Sequence, residues 1–201
     1  MSSPAVGLVL ASTSSARKAV LEGAGVPFEA ERSGVDEEAT KARLLATGAT
    51  PRQVAQALAD EKALAVSQGR PELVLGADQT LELAGRLYDK AETLDEARAR
   101  LRALRGRPHQ LHSAVSVASE GQVIWRETVS ATLTMRDFSD SFIEAYLAAE
   151  GDAALSSVGC YRLEGMGVQL FAAIDGDYFT ILGLPMMGLL ALLRERGVVG
   201  A

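Results

Sequence analysis

Two short runs of uninterrupted apolar residues, Val6–Ala11 and Leu73–Ala77, read as strands buried on both faces. Helical stretches lie between them. Ser12-Thr13-Ser14-Ser15 offers capping hydroxyls, residues 15–24 read as a helix, and Gly25 and Pro27 end it. Thr50-Pro51 opens a second helix to about Gln68, because proline suits a first helical turn. Its apolar stripe runs through Val54, Leu58, Ala65 and Val66, and Lys62 falls inside that stripe. Two readings of this lysine stand: one that snorkels from the stripe's edge, and one aimed at an anionic ligand. Phe28–Arg32 reads as a strand and Gly34-Val35-Asp36-Glu37 as a loop. Thr93 and Glu96 form a capping box for a helix ending near Arg105-Gly106. Residues 109–119 and 122–135 alternate as a β-hairpin with Glu120-Gly121 at its turn. A helix over Ser139–Ala149, a strand over Val168–Ile174 and a helix over Pro185–Arg196 complete the chain. Early alternation of helix and strand with a late hairpin predicts an α/β fold with a mixed sheet.

The chain has 201 residues, enough for one large domain or two small lobes, and with 48% of them apolar and 23% charged it has the composition of a soluble globular protein. A net charge of −6 argues against a non-specific nucleic-acid or membrane surface. It leaves room for a phosphate ligand held by a few local cations. The single cysteine, Cys160, has no internal disulfide partner and reads as a small buried side chain. The first residues lack a basic leader, and the apolar run at 181–193 contains Pro185 and is too short to span a bilayer. A cytoplasmic protein is expected.

Several residues are candidates for chemistry. A strand passing through hydroxyls into a helix N-terminus forms an anion site, to which Ser12, Ser14 and Arg17 can add hydrogen bonds. Neither a P-loop nor a dinucleotide glycine motif is present. Asp78 follows an apolar strand directly, and a carboxylate on a rigid strand tip is well placed to hold a metal or take a proton from water. Carboxylates among Asp36, Glu37 and Asp78 that met at one point would suit Mg²⁺, which takes a few carboxylates together with water and substrate phosphates. His109 and His112, three apart in a strand, face opposite ways and read as structural.

Taken in order, LASTSSARKAVLEGAGVPFE, GVDE, ALADEKA, LGADQ, YDK, YRLEGMG and IDGDYFTILGLP resemble the Maf family of nucleoside triphosphate pyrophosphatases over about residues 7–196. The resemblance implies one domain spanning residues 1–201, with an α/β fold related to the inosine triphosphate pyrophosphatases, two lobes around a cleft and often a homodimer. It implies a hydrolase that cuts between the α- and β-phosphates of a nucleotide, releasing a monophosphate and diphosphate, with Mg²⁺ or Mn²⁺ as cofactor. It places the proton acceptor at Asp78, the phosphate-binding residues at Ser12, Arg17, Lys62 and Lys90, and the acid of the VDE motif, a metal ligand with Asp78, at Glu37. Two positions that separate the family's subgroups are Gln79 and Glu164 here, as in those resembling 7-methyl-GTP pyrophosphatases; the dTTP/UTP subgroup carries Thr and Gln.

A chemical rationale accompanies that split. Guanine presents two adjacent donors, which one carboxylate accepts, and N7 methylation makes the base cationic. The chain departs from the family pattern at Ser15 and Ala16, at Ala91 after Lys90, and at Gly159-Cys160. Ala16 is a specificity position, and alanine can neither stack on a base nor hydrogen-bond one. The expected substrate is 7-methyl-GTP; dTTP/UTP or broad hydrolysis, and a nucleotide-binding regulator of cell division with little turnover, are the alternatives.

Overall fold

The computed structural model describes residues 7–200, so Val6, at the head of the first predicted strand, lies outside them. The elements are β1 (Leu8–Leu10), α1 (Ser15–Gly23), β2 (Glu29–Ala30), α2 (Glu37–Ala46), α3 (Pro51–Ser67), β3 (Leu73–Leu83), β4 (Arg86–Tyr88), α4 (Leu94–Leu104), β5 (Pro108–Ser119), β6 (Gln122–Met135), α5 (Asp140–Glu150), β7 (Phe171–Asp175), α6 (Tyr178–Ile181) and α7 (Met186–Glu195). The strands form one open, mixed sheet ordered β2-β1-β3-β5-β6-β7, with β4 also beside β3. β1 runs parallel to β2 and β3, and the other pairs are antiparallel. The α/β class with a mixed sheet is the one expected. Among the described residues no helix is long and apolar enough to cross a membrane.

The helices begin where capping chemistry places them. The side chains of Ser14, Thr50, Thr93 and Ser139 each accept the backbone N–H three residues on. Gln53 returns a bond to the Thr50 N–H, closing a capping box on α3. The predicted hairpin forms with Glu120 (φ 51°) and Gly121 (φ 75°) at its turn.

Four expectations need correction. The strand at Leu73 does not stop at Ala77. It continues to Leu83, because β5 pairs with it from Val74↔Ala118 to Glu82↔Gln110 and carries the ladder through Gly76, Ala77 and Asp78. Residues 34–37 are a loop only as far as Asp36, whose carboxylate accepts the Ala39 N–H at 3.0 Å and caps α2. Only Thr40 of α2 is buried, so no apolar stripe announced this helix. The strand predicted over Val168–Ile174 starts later, at Phe171, after a 3₁₀ turn at Met166–Leu170; that over Phe28–Arg32 shortens to Glu29–Ala30.

Successive β3 side chains alternate between the two faces. Val74, Gly76, Asp78 and Thr80 face α3, where Val74 joins Val66 in an apolar cluster and Thr80 Oγ1 donates to the Pro51 oxygen at 2.9 Å. Leu73, Leu75 and Ala77 face a cluster with α1 and α7, whereas Leu81 and Leu83 face a separate cluster with α4 and α5. Between these clusters sits a polar belt. Gln79 Nε2 donates to Ser113 Oγ and to the Thr180 and Ile181 oxygens of α6.

The two histidines lie on opposite faces, as their spacing predicts. His112 bonds Ser130 and Glu82, whereas His109 Nε2 pairs with the Tyr161 hydroxyl at 2.7 Å. His109 is 2% exposed, and burial lowers its pKa to about 4. The folded state therefore refuses a proton that the unfolded chain accepts near pH 6.5, and stability falls as pH drops from 6.5 toward 4. The expected loss from this residue between pH 7 and pH 5 is about 2 kcal/mol. Urea denaturation at the two pH values checks it: His109→Gln, which keeps a partner for Tyr161, should flatten the dependence by that amount.

Candidate active site

Sheet pairing on one edge of β3 is interrupted. β1 pairs with it only as far as Leu75, and β4 pairs with it only from Leu81 onward. Residues 76–80 therefore face a gap on that edge while β5 holds them rigid on the other. A cavity of about 620 Å³ opens there. The residues that the resemblance assigned to the site all line it: Ser12, Ala16, Arg17, Glu37, Lys62, Asp78, Gln79, Lys90 and Glu164. Asp36, the other candidate carboxylate, does not, because its side chain is turned to capping α2. Asp78 is thus in mid-strand, at the place where the neighbouring strand has ended.

Asp78 and Lys62 are 6% and 5% exposed. Lys62 does not snorkel; its Nζ lies 2.7 Å from Asp78 Oδ1 and 2.8 Å from Glu37 Oε1. Three elements meet at this ammonium: β3, the middle of α3 and the first turn of α2. Burial raises the pKa of Asp78, against the pull of Lys62 and Arg17. Burial also raises that of Glu37, but Lys62, Lys41 and Arg17 outweigh it and hold that carboxyl below its ordinary range.

The β1–α1 turn supplies the next wall. Ser12 Oγ accepts the Ser14 N–H at 3.2 Å and Arg17 Nη1 at 3.3 Å, and Arg17 Nε donates to the Gly183 oxygen at 2.9 Å. Burial lowers the pKa of Arg17, while Asp78 and Glu37 raise it. Gln79 and Arg17 thus both hold the end of α6 and the turn that follows it, Gln79 by the Thr180 and Ile181 carbonyls and Arg17 by that of Gly183. A threonine at residue 79 could not reach those carbonyls. Lys90, after β4, makes no hydrogen bond or ion pair among the described residues; burial and the nearby Arg17 lower its pKa.

A loop from Ser157 to Glu164 closes the far side. Tyr161 anchors it: the ring is buried, its hydroxyl meets His109, and its backbone N–H and oxygen both bond Ser157 Oγ. Gly159 packs so closely on this ring that a Cβ there would lie 2.1 Å from it. Cys160 is buried as expected, but it takes a left-handed backbone (φ 59°). Glu164 Oε1 accepts Arg162 Nε at 3.2 Å, and Arg162 is paired in turn with Glu150. This Arg162 bridge and the Lys41–Asp89 pair at 2.6 Å had no sequence signal, since Lys41 and Asp89 are 48 residues apart.

Fold and site together define an α/β protein with a cation-lined cavity, fit for a polyanion, around a buried carboxylate. The Maf-like protein family matches residues 7–196, and the chain belongs to it. It is 60% identical over 192 residues to the nucleoside triphosphate pyrophosphatase of Caulobacter vibrioides, covering 96% of each chain. It is 49% identical to the 7-methyl-GTP pyrophosphatase of Rhizobium meliloti, over 96% of this chain and 98% of that one. The 7-methyl-GTP pyrophosphatase of Brucella abortus is also 49% identical, over 95% of this chain and 96% of its own.

Proposed function

We propose that this protein hydrolyses the α–β phosphate bond of a nucleoside triphosphate, most specifically 7-methyl-GTP, to a monophosphate and diphosphate. One observation carries the reading: Asp78 is rigidly held and buried in the same cavity as Arg17, Lys62 and Lys90. The names of its relatives support it.

In this mechanism Asp78 orients a water and takes its proton as the oxygen attacks the α-phosphorus. Its raised pKa suits a base that must hold that proton. Arg17, Lys62 and Lys90 face the triphosphate and the charge that builds on departing diphosphate. Ser12 fixes the Arg17 guanidinium and lies beside the α1 N-terminus, which favours an anion.

A divalent cation fits the donor set in part. Glu37 and Asp78 converge on the Lys62 ammonium through one oxygen each, leaving the second oxygen of each for an ion, and no third carboxylate, imidazole or thiolate joins them in a metal-binding group among the described residues. Two carboxylates suit an ion that completes its shell with phosphate oxygens and water. Glu37 and Asp78 would hold Mg²⁺ or Mn²⁺ arriving with the nucleotide, and the ion would neutralise phosphate charge.

Base choice falls to Glu164 and its loop. One carboxylate accepting two guanine donors accounts for a preference over pyrimidines. Replacing Glu164 with Gln should shift the ratio of kcat/KM for 7-methyl-GTP over UTP by roughly 10- to 100-fold toward UTP. An unchanged profile would remove Glu164 from base reading.

The overall test is diphosphate release from a panel of 7-methyl-GTP, GTP, dTTP and UTP, with and without EDTA. The expected result is fastest turnover of 7-methyl-GTP, lost on chelation and restored by Mg²⁺ or Mn²⁺. Faster turnover of dTTP and UTP would reassign the substrate, and no turnover of any nucleotide would overturn the hydrolase reading.

A further inference from the structure

Arg100 does not line the cavity, yet it bonds two segments that do. It projects half-buried from α4. Its Nη1 donates to the main-chain oxygen of Asp89 at 2.8 Å and also to that of Val158. A terminal guanidinium nitrogen carries two N–H groups, so a single atom serves both carbonyls. The guanidinium carbon also lies 4.6 Å from the centre of the Tyr88 ring.

These contacts fall on consecutive residues. Tyr88 is stacked and Asp89 is bonded through its carbonyl. The Asp89 carboxylate is held from the opposite wall by Lys41 on α2. The next residue is Lys90, whose ammonium is left free for a ligand. Val158 belongs to the loop that ends at Glu164. Thus one guanidinium spans the gap between the segment bearing a phosphate-facing lysine and the loop bearing the base-facing carboxylate.

We propose that Arg100 is a positioning residue that locks these two segments together, so that the grip on the phosphate tail and the choice of base are coupled through it. The proposal rests on the reading in which Lys90 and Glu164 both face the nucleotide. A lysine at residue 100 has a compact ammonium that can bond a carbonyl but cannot stack as a plane on Tyr88. A methionine keeps the apolar stem and does neither. Arg86 provides a control, since it approaches the same ring at 5.7 Å but forms no bond to either carbonyl.

The test compares wild type, Arg100→Met, Arg100→Lys and Arg86→Gln. Two measurements are made: steady-state diphosphate release from 7-methyl-GTP and UTP, and hydrogen–deuterium exchange of the free protein. For Arg100→Met we expect KM for 7-methyl-GTP to rise about tenfold with kcat within about twofold, and the preference over UTP to fall about tenfold. Residues 86–92 and 156–164 should exchange faster together, while α3 stays protected. Arg100→Lys should recover part of each change, and Arg86→Gln should show none. Unchanged KM and exchange in Arg100→Met, loss of kcat alone, or loosening of only one segment would each overturn the coupling. If Arg100→Met fails to fold, Arg100→Lys decides by the same criteria. If wild type hydrolyses neither nucleotide, the proposed function fails, and the exchange of the free protein still decides whether Arg100 locks the two segments.

Discussion

Replacing Asp78 with Asn is expected to lower kcat for the preferred triphosphate by roughly 10²- to 10⁴-fold, the range that a positioned general base supplies. The amide has the size of the carboxylate, and its oxygen can still accept from Lys62 Nζ, now 2.7 Å from Asp78 Oδ1. It cannot take a proton from water. Measured at saturating Mg²⁺, since Asp78 would also help to hold the ion, KM should stay level or fall, because one negative charge leaves a cavity that must admit a polyanion. The fold should survive: Lys62 retains Glu37 at 2.8 Å, and a buried charge costly to desolvate is gone. Diphosphate release, nucleotide affinity by calorimetry and a thermal melt read the three effects separately. Turnover within tenfold of wild type, in a protein that binds nucleotide normally, would show that another group activates the water.

Gly76→Ala should damage fold and catalysis together. Gly76 has an ordinary backbone conformation, so space is its only constraint. A Cβ there would lie 2.2 Å from the Ala59 oxygen and 2.5 Å from the Ala63 nitrogen, both in the backbone of α3. No side-chain rotation relieves this, so α3 must move off the sheet by about 1 Å, in an interior packed as densely as a crystal. The expected cost is ~3 kcal/mol. In a chain of this length that corresponds to a Tm lower by roughly 6–12 °C. Lys62 lies on the same stretch of α3, so the displacement also pulls its ammonium away from Asp78. A melt and a rate on the remaining folded fraction test both halves. An unchanged melting point would mean that the helix yields more easily than its contacts suggest.

Elements with local chemistry were legible in the sequence. Thr50-Pro51 and Thr93 capped the helices expected of them, and Glu120-Gly121 turned the predicted hairpin. Where tertiary pairing decides, the sequence misled. Gly76-Ala77-Asp78-Gln79 looks like the end of a strand, and only β5, more than 30 residues later, holds it extended. α2 escaped notice because it buries Thr40 alone and so carries no periodic signal. The site showed the same division. Nine of the residues that line the cavity could be named from motifs resembling a known family, but not Lys41, Asp89 or Arg162, and not the manner of their meeting. Lys62 was ambiguous by pattern, and its two carboxylate partners come from α2 and β3. Arg100 was beyond reach, because its role depends on backbone carbonyls, which no side-chain pattern records.

The central strand has a consequence for how such a protein can change. Asp78 and Lys62 ride on β3 and α3, the framework on which the rest of the chain is assembled. Ala16 sits in the first turn of the short helix α1, and Glu164 in a loop pinned at Tyr161. With base choice at these two positions, as proposed, substitutions that retune it can accumulate at the rim without touching the framework that carries Asp78 and Lys62. Descendants of one ancestor could diverge in diet while keeping a common cutting edge.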